Sequence, residues 1–281
     1  LDVEPTREAI RDIFLRRITH AKGLDRAHDI VGDVIMPTPL AVLKGATLLA
    51  GGPGGEEGLG EMMVVDVGGA TTDVYSLSEG NPSRADVVRK GLPEPYAKRT
   101  VEGDLGIRFN AASILELVGC GALRERMAGT CAVAASEEAI TGKVAQLCRD
   151  VASVPQSEED HGLDTALAQA AVDIATRRHA GSIEEVYSPF GKYYFQYGKD
   201  LTTVSCVVGT GGIFAYGQSP REVLKSACYS AQRPDSLRPA APRFFIDERY
   251  ILFAVGLLAE ISPGAALRVM KKNLKEVSVR N

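Results

Sequence analysis

The chain predicts a mixed α/β fold, and three observations carry that expectation. Residues 62–77, MMVVDVGGATTDVYSL, run as an apolar strand to Asp66, turn on Gly68, Gly69 and Ala70, and resume in alternation through Thr72, Val74 and Ser76. That is the pattern of a hairpin with an acid on each side of its turn. Far downstream, residues 203–208 form a second apolar strand entering Gly209-Thr210-Gly211-Gly212, a strand-to-helix turn. Helical stretches lie between and around these signals, and strands interleaved with helices make an α/β architecture.

The elements follow in chain order. Residues 1–60 read as a helical segment and a Gly-rich linker. Residues 2–18 place Ile10, Ile13, Phe14 and Ile18 on one helical face. Pro37 and Pro39 interrupt, and Thr38 is suited to cap the apolar run Leu40–Leu49. Gly51-Gly52-Pro53-Gly54-Gly55 marks the boundary as a surface loop. Residues 61–281 form the main unit. After the hairpin over 62–78, Gly80-Asn81-Pro82 is a turn, and residues 84–90 are the third strand of a meander. Pro93 and Pro95 lead into residues 98–108. Helices are expected over 109–128, 136–152 and 163–180, with Glu158-Glu159-Asp160 as a solvated loop or first helical turn. Tyr187, Tyr193, Tyr194, Phe195 and Tyr197 in the Tyr-rich stretch 187–197 read as a partner-binding patch or, more commonly, as a core edge, since tyrosine buries its ring while its hydroxyl reaches water. A helix over 220–230, a proline-punctuated connector over 234–246, and helices over 248–260 and 263–275 complete the chain.

Composition narrows the function classes. Apolar residues at 45% and charged residues at 24% of 281 are globular values and argue against disorder. A net charge of −4 with a pI near 5.7 argues against a nucleic-acid partner. The five cysteines (Cys120, Cys131, Cys148, Cys206, Cys228) are scattered and lack metal-ligand spacing, which fits reduced thiols in the cytoplasm. No uninterrupted apolar run reaches ~18 residues, so no membrane span is expected. The four histidines (His20, His28, His161, His179) form no i,i+4 pair and are expected in surface or packing roles. Nucleophile-elbow and P-loop patterns are missing, as is the Asp-x-His-x-x-Gly pattern of corrinoid binding.

The hairpin carries the chemistry. Gly68, Gly69 and Ala70 let backbone N–H groups approach an anion, and Thr71 and Thr72 add hydroxyl donors. Asp66 and Asp73 repel a phosphate by themselves, so their place beside the turn implies a metal ion or an oriented water. Sequence leaves open which aspartate does which. Glu102 and Asp104 flank a glycine and read equally as site residues or as the N-cap of a helix running through Arg108. Lys98 and Arg99 are candidate phosphate partners, against the commoner role of surface cations.

The same residues resemble a known motif. Asp66-Val67-Gly68-Gly69-Ala70-Thr71-Thr72-Asp73-Val74 is similar to the second phosphate motif, D-x-G-x-x-T-x-D-V, of the actin-like ATPase superfamily. Ser205 through Ile213, with Gly209, Thr210, Gly211 and Gly212, resembles that superfamily's adenosine motif. The resemblance implies an actin-like, ribonuclease-H-like fold with ATP and Mg²⁺ as cofactors, and residues 61–281 as its nucleotide-binding subdomain with inserted helices. No Asp-x-Gly first phosphate motif precedes Asp66, so the chain is expected to be the C-terminal part of a longer protein. A narrower resemblance rests on the hairpin, on Lys98 through Arg108 and on His20-Ala21-Lys22-Gly23-Leu24, which together look like the glutamate mutase accessory proteins. It implies an ATP-using chaperone or reactivase whose partners are adenosylcobalamin-dependent mutase subunits. A small-molecule kinase or hydantoinase-like hydrolase of the same fold, and a non-catalytic interaction module, are the alternatives.

Overall fold

The computed structural model describes residues 36–130, 136–189 and 191–277, together with Pro5, Thr6, Ala9 and Ile13. Those four residues are helical. The rest of the helix expected over 2–18, and His20–Leu24, lie outside the described residues.

The hairpin forms where its pattern places it. Strand β1 (Met62–Val67) and strand β2 (Thr72–Leu77) pair antiparallel with Val67 opposite Thr72 and Asp66 opposite Asp73. Both strands are buried on both faces except at Asp66, which explains the near-continuous apolar run of β1. The third strand is not 84–90. It is β4 (Ala97–Glu102), which pairs antiparallel with β2. Its cations suit an edge strand because acids neutralise them, Glu94 for Lys98 and Asp73 for Arg99. The short strand β3 (Val87–Lys90) instead joins β5 (Ser182–Ser188) and β6 (Gly191–Tyr197) in a separate three-stranded sheet. That sheet carries the Tyr-rich stretch, and the core-edge expectation fails there: Tyr187 is 76% exposed. Cations cover part of these rings instead, with Arg84 4.3 Å from the Tyr194 ring and Lys90 4.3 Å from Phe195.

Strand β7 (Cys206–Thr210) lies parallel to β1, and β8 (Arg243–Asp247) parallel to β7, while β9 (Leu274–Glu276) closes the far edge. The main sheet therefore reads β4-β2-β1-β7-β8-β9. Its first five strands, with only β2 reversed, have the ribonuclease-H-like topology of actin-like ATPases. The supposed connector over 234–246 hides β8, whose Arg-Phe-Phe-Ile-Asp run lies just beyond Pro242.

Helices cover both faces. Helix α1 (Thr38–Gly51) packs with α7 (Leu252–Ala259) and α8 (Pro263–Asn273) against Val64, Tyr75 and Val208. It precedes the Gly-rich loop and packs in the same core as the hairpin. Its backbone meets α7 closely enough that a Cβ on Gly45 would stand 2.6 Å from the Leu252 carbonyl oxygen. The other face holds α2 (Ala111–Ala128), α3 (Glu137–Arg149) and the Ala-rich α4 (Glu158–His179) over Val65, Val74 and Val207. Helix α4 opens with a capping box between Ser157 and Asp160, so the acidic run is its first turn. Two short helices, α5 (Gly212–Tyr216) and α6 (Pro220–Lys225), follow β7, and α6 ends earlier than expected. Among the described residues no helix is long and apolar enough to cross a membrane, and Cys120, Cys148, Cys206 and Cys228 are free thiols.

Candidate functional site

The turn between β1 and β2 is shaped by what holds its carbonyls. Gly68 closes it by donating its N–H to the Thr71 carbonyl at 2.9 Å. Residues 107–110 then clamp the turn from behind. Ile107 N–H donates to the Gly68 carbonyl, and those of Arg108 and Phe109 to that of Gly69, at 2.9–3.1 Å. The Asn110 side-chain amide donates to the Ala70 carbonyl at 2.7 Å. The clamp can sit so near because residue 106 is glycine: a Cβ there would stand 2.5 Å from Ala70 Cα. With the Gly68, Gly69 and Ala70 carbonyls engaged from one side, the N–H groups of Gly69, Ala70 and Thr71 make no hydrogen bond among the described residues. Three successive free donors form an anion-accepting concavity.

Two sequence expectations are corrected here. The Gly68 N–H is spent inside the turn, and the Thr72 hydroxyl, fully buried, donates to the Leu105 carbonyl at 2.8 Å. Neither is available to a ligand. Thr71 keeps its hydroxyl nearer the site, donating to Asp73 Oδ2 at 3.1 Å.

The carboxylates share one face. Directly opposite residues in an antiparallel pair point the same way, so Asp66 and Asp73 lie together. The guanidinium of Arg99 holds Asp73 Oδ1 at 2.6 and 2.8 Å. Asp66 has no hydrogen-bond partner among the described residues. Burial, then the neighbouring charges of Asp73 and Asp247, push its carboxyl up to about 7, against the opposing pull of Arg99. Asp66 pairs across β7 with Thr210, whose hydroxyl donates to Asp247 Oδ2 at 3.0 Å. Four adjacent strands thus carry Asp73, Asp66, Thr210 and Asp247 at one end of the sheet. Asp247 is fully buried; its Oδ2 also accepts the Leu252 N–H, and its Oδ1 has no hydrogen-bond partner among the described residues. No group of three or more His, Cys, Asp or Glu side chains among the described residues is close enough to hold a metal ion unaided.

The glycine turn faces the hairpin, but only at its end. Gly209 and Thr210 are the last residues of β7; Gly209 is there because a Cβ would stand 2.5 Å from the Phe214 ring. Gly211, at φ 106°, makes the turn, where a Cβ would meet the Val67 carbonyl oxygen at 2.6 Å and Asp66 Oδ1 at 3.1 Å. Beside it opens a cleft of about 390 Å³, with Gly68 and Gly69 on one wall, Gly212 and Tyr216 on another, and Val151 to Pro155 on a third. Tyr250 also lines it, and is the one non-glycine residue with positive φ, 52°, among the described residues. His161 lines the cleft too, whereas His179 is buried between the Ser76 and Thr100 hydroxyls and kept neutral by burial. His20 and His28 lie outside the described residues.

Glu102 and Asp104 stand apart from this constellation. Glu102 is opposite Thr72, one residue from Asp73 and therefore on the other face of β2, where Arg178 of α4 holds it at 2.6 Å and Asp104 at 3.2 Å. Nor does Asp104 cap a helix, since residues 103–110 are turns and irregular backbone and α2 begins at Ala111. Lys98 is bound to Glu94 and the His179 carbonyl, away from the turn.

Comparison with known proteins gives matches of three kinds. The model of the family described as MutL protein matches residues 1–274. Protein MutL of Clostridium tetanomorphum is 46% identical over 277 residues, 99% of this chain, and the chain spans 59% of that relative's length. Among solved structures, the activator of the 2-hydroxyisocaproyl-CoA dehydratase from Clostridium difficile with bound ADPNP aligns over 86% of this chain and 71% of its own, at 12% identity and a TM-score of 0.35. A likeness that distant adds no argument about the site.

Proposed function

The chain belongs to the MutL protein family, and from that membership we propose that it supplies the phosphate-binding wall of an ATP·Mg²⁺ site in an accessory protein of adenosylcobalamin-dependent glutamate mutase. The observation that carries the reading is the row of free N–H groups at Gly69, Ala70 and Thr71, set beside the Asp66–Asp73 pair. Donors of this kind fit phosphate oxygens, and the two carboxylates fit only if a cation stands between them and that charge. Mg²⁺, when bound, supplies that neutralisation and accepts few protein ligands beside water and phosphate. Asp66, without a hydrogen-bond partner among the described residues and with its charge resisted by burial, suits the cation. Asp73, fixed by Arg99 and Thr71, suits orientation of an attacking water. Gly211, Gly212 and the cleft beyond them receive the rest of the nucleotide.

ATP turnover here drives domain motion that opens the mutase for exchange of damaged cofactor. The test is calorimetric titration of the intact protein with ATP and Mg²⁺, alongside hydrolysis assays with and without glutamate mutase. Mg²⁺-dependent binding, mutase-stimulated hydrolysis, and a loss in Asp73→Ala of at least about tenfold in rate support the reading. Absence of nucleotide binding, or hydrolysis by Asp73→Ala at the parent rate, overturns it.

A further inference from the structure

Arg108 touches two of the walls that meet at the cleft, the phosphate turn and the segment over 151–155, and ties both to α4. Its backbone N–H holds the Gly69 carbonyl at 3.0 Å, and its side-chain stem lies beneath that glycine, 3.5 Å from where a Cβ would be. Its guanidinium pairs in fork geometry with Asp164 of α4, at 2.9 and 2.6 Å. The remaining Nε–H reaches the Ser153 carbonyl at 3.2 Å. The pair is largely buried, with side-chain exposures of 13% and 7%. A planar fork holding two partners at fixed angles is a geometry that a lysine point charge does not reproduce.

The wall that Arg108 holds has room behind it. A second cavity, of about 120 Å³, lies beyond Ser153, Val154 and Pro155 and is backed by Lys143, Gln146 and Leu147. The segment over 153–155 thus separates two spaces, and the Arg108 contact to Ser153 draws it toward the larger one.

We infer that Arg108, oriented by Asp164, is a positioning residue that sets the distance between the phosphate turn and the 153–155 wall, and so governs affinity for the nucleoside end of a nucleotide but not for its phosphates. The inference rests on the nucleotide reading above. A bare phosphate chain contacts the turn alone, whose carbonyl clamps are backbone groups and Asn110. A nucleotide must also fit against the wall. If Arg108 lets go, the wall relaxes into the rear cavity and only the second contact weakens.

The experiment compares ATP with inorganic tripolyphosphate, both with Mg²⁺, by calorimetry on the intact protein and two variants. Arg108→Gln/Asp164→Asn removes both charges together, so that neither is left buried alone. Arg108→Lys keeps the charge and loses the fork. The double variant is expected to lose about tenfold in ATP affinity while tripolyphosphate affinity holds within about twofold, with Arg108→Lys between it and the parent. A ratio of affinities unchanged in both variants, or both ligands weakening together, overturns the inference and leaves the nucleotide reading standing. If the double variant does not fold, Arg108→Lys decides by the same ratio. A parent protein that binds neither ligand overturns the nucleotide reading and this inference with it.

Discussion

Gly106→Ala tests whether the clamp behind the hairpin turn creates the anion site. The added methyl carbon would meet the Ala70 carbonyl group first, with even Ala70 Cα only 2.5 Å away against an ordinary contact of at least 3.4 Å, so backbone must yield by more than about 0.9 Å. Ala70 is the residue whose carbonyl Asn110 holds at 2.7 Å, and a retreat of that size stretches this bond beyond useful range. The turn is then free to rotate its Gly69, Ala70 and Thr71 N–H groups out of register. Overpacking of this kind costs about 1–3 kcal/mol of stability. A displacement near 1 Å costs binding and catalysis on the order of 10²-fold. Thermal unfolding and ATP calorimetry on the same preparation separate the two effects. A folded Gly106→Ala protein with parental ATP affinity would refute the claim that the clamp organises the site.

Thr72→Val and Thr71→Val divide the two hydroxyls. Thr72→Val strands the buried Leu105 carbonyl and is expected to lower stability by about 1–3 kcal/mol with little change in ATP affinity, whereas Thr71→Val, which frees Asp73 Oδ2, is expected to slow hydrolysis with little change in melting temperature. Asp66→Asn is expected to stabilise the fold in a pH-dependent way. Because the folded-state carboxyl titrates near 7 instead of 3.8, the native state holds a proton that the unfolded chain has released. Parent stability therefore falls as pH rises from about 4 to 7, and the variant lacks that slope. Its melting advantage should be small at pH 4 and largest at pH 8, by roughly 2–4 °C per kcal/mol; an advantage that shrinks with rising pH would be the wrong sign. Gly256→Ala drives a methyl group into the Ala41 carbonyl, with Ala41 Cα only 3.0 Å away, and is expected to lower the unfolding midpoint while leaving nucleotide affinity within about twofold once folded.

Much of the hairpin was legible because its signals are local. An apolar run, a small-residue turn and an acid on either side are read within sixteen consecutive positions. The same logic failed for the third strand, expected at 84–90 and found at β4, where Lys98 and Arg99 read as surface cations until Glu94 and Asp73 are seen to neutralise them. It also failed for Thr72, whose fate depends on the Leu105 carbonyl 33 residues away. Gly106, Arg108 and Asn110 stood inside or beside a stretch already singled out, yet their clamping of the turn is a long-range contact that no periodicity encodes. Asp247 had a usable signal: Phe244-Phe245-Ile246-Asp247 ends an apolar run in an acid, as Val64-Val65-Asp66 does. The three prolines of residues 234–242 masked it. Glu102 and Asp104 flank a glycine and read equally as site residues or a helix cap, but the alternation of β2 and β4 sends Glu102 to the opposite face, where Arg178 holds both acids.

The central claim is that the Gly69, Ala70 and Thr71 N–H groups receive phosphate. Amide NMR of the intact protein during titration with ATP and Mg²⁺ reads those donors one by one. The account predicts large downfield shifts at the three amides, with the Gly68 amide, already bonded to Thr71, changing far less. Saturating nucleotide that leaves Gly69, Ala70 and Thr71 unmoved while resonances elsewhere shift would contradict it.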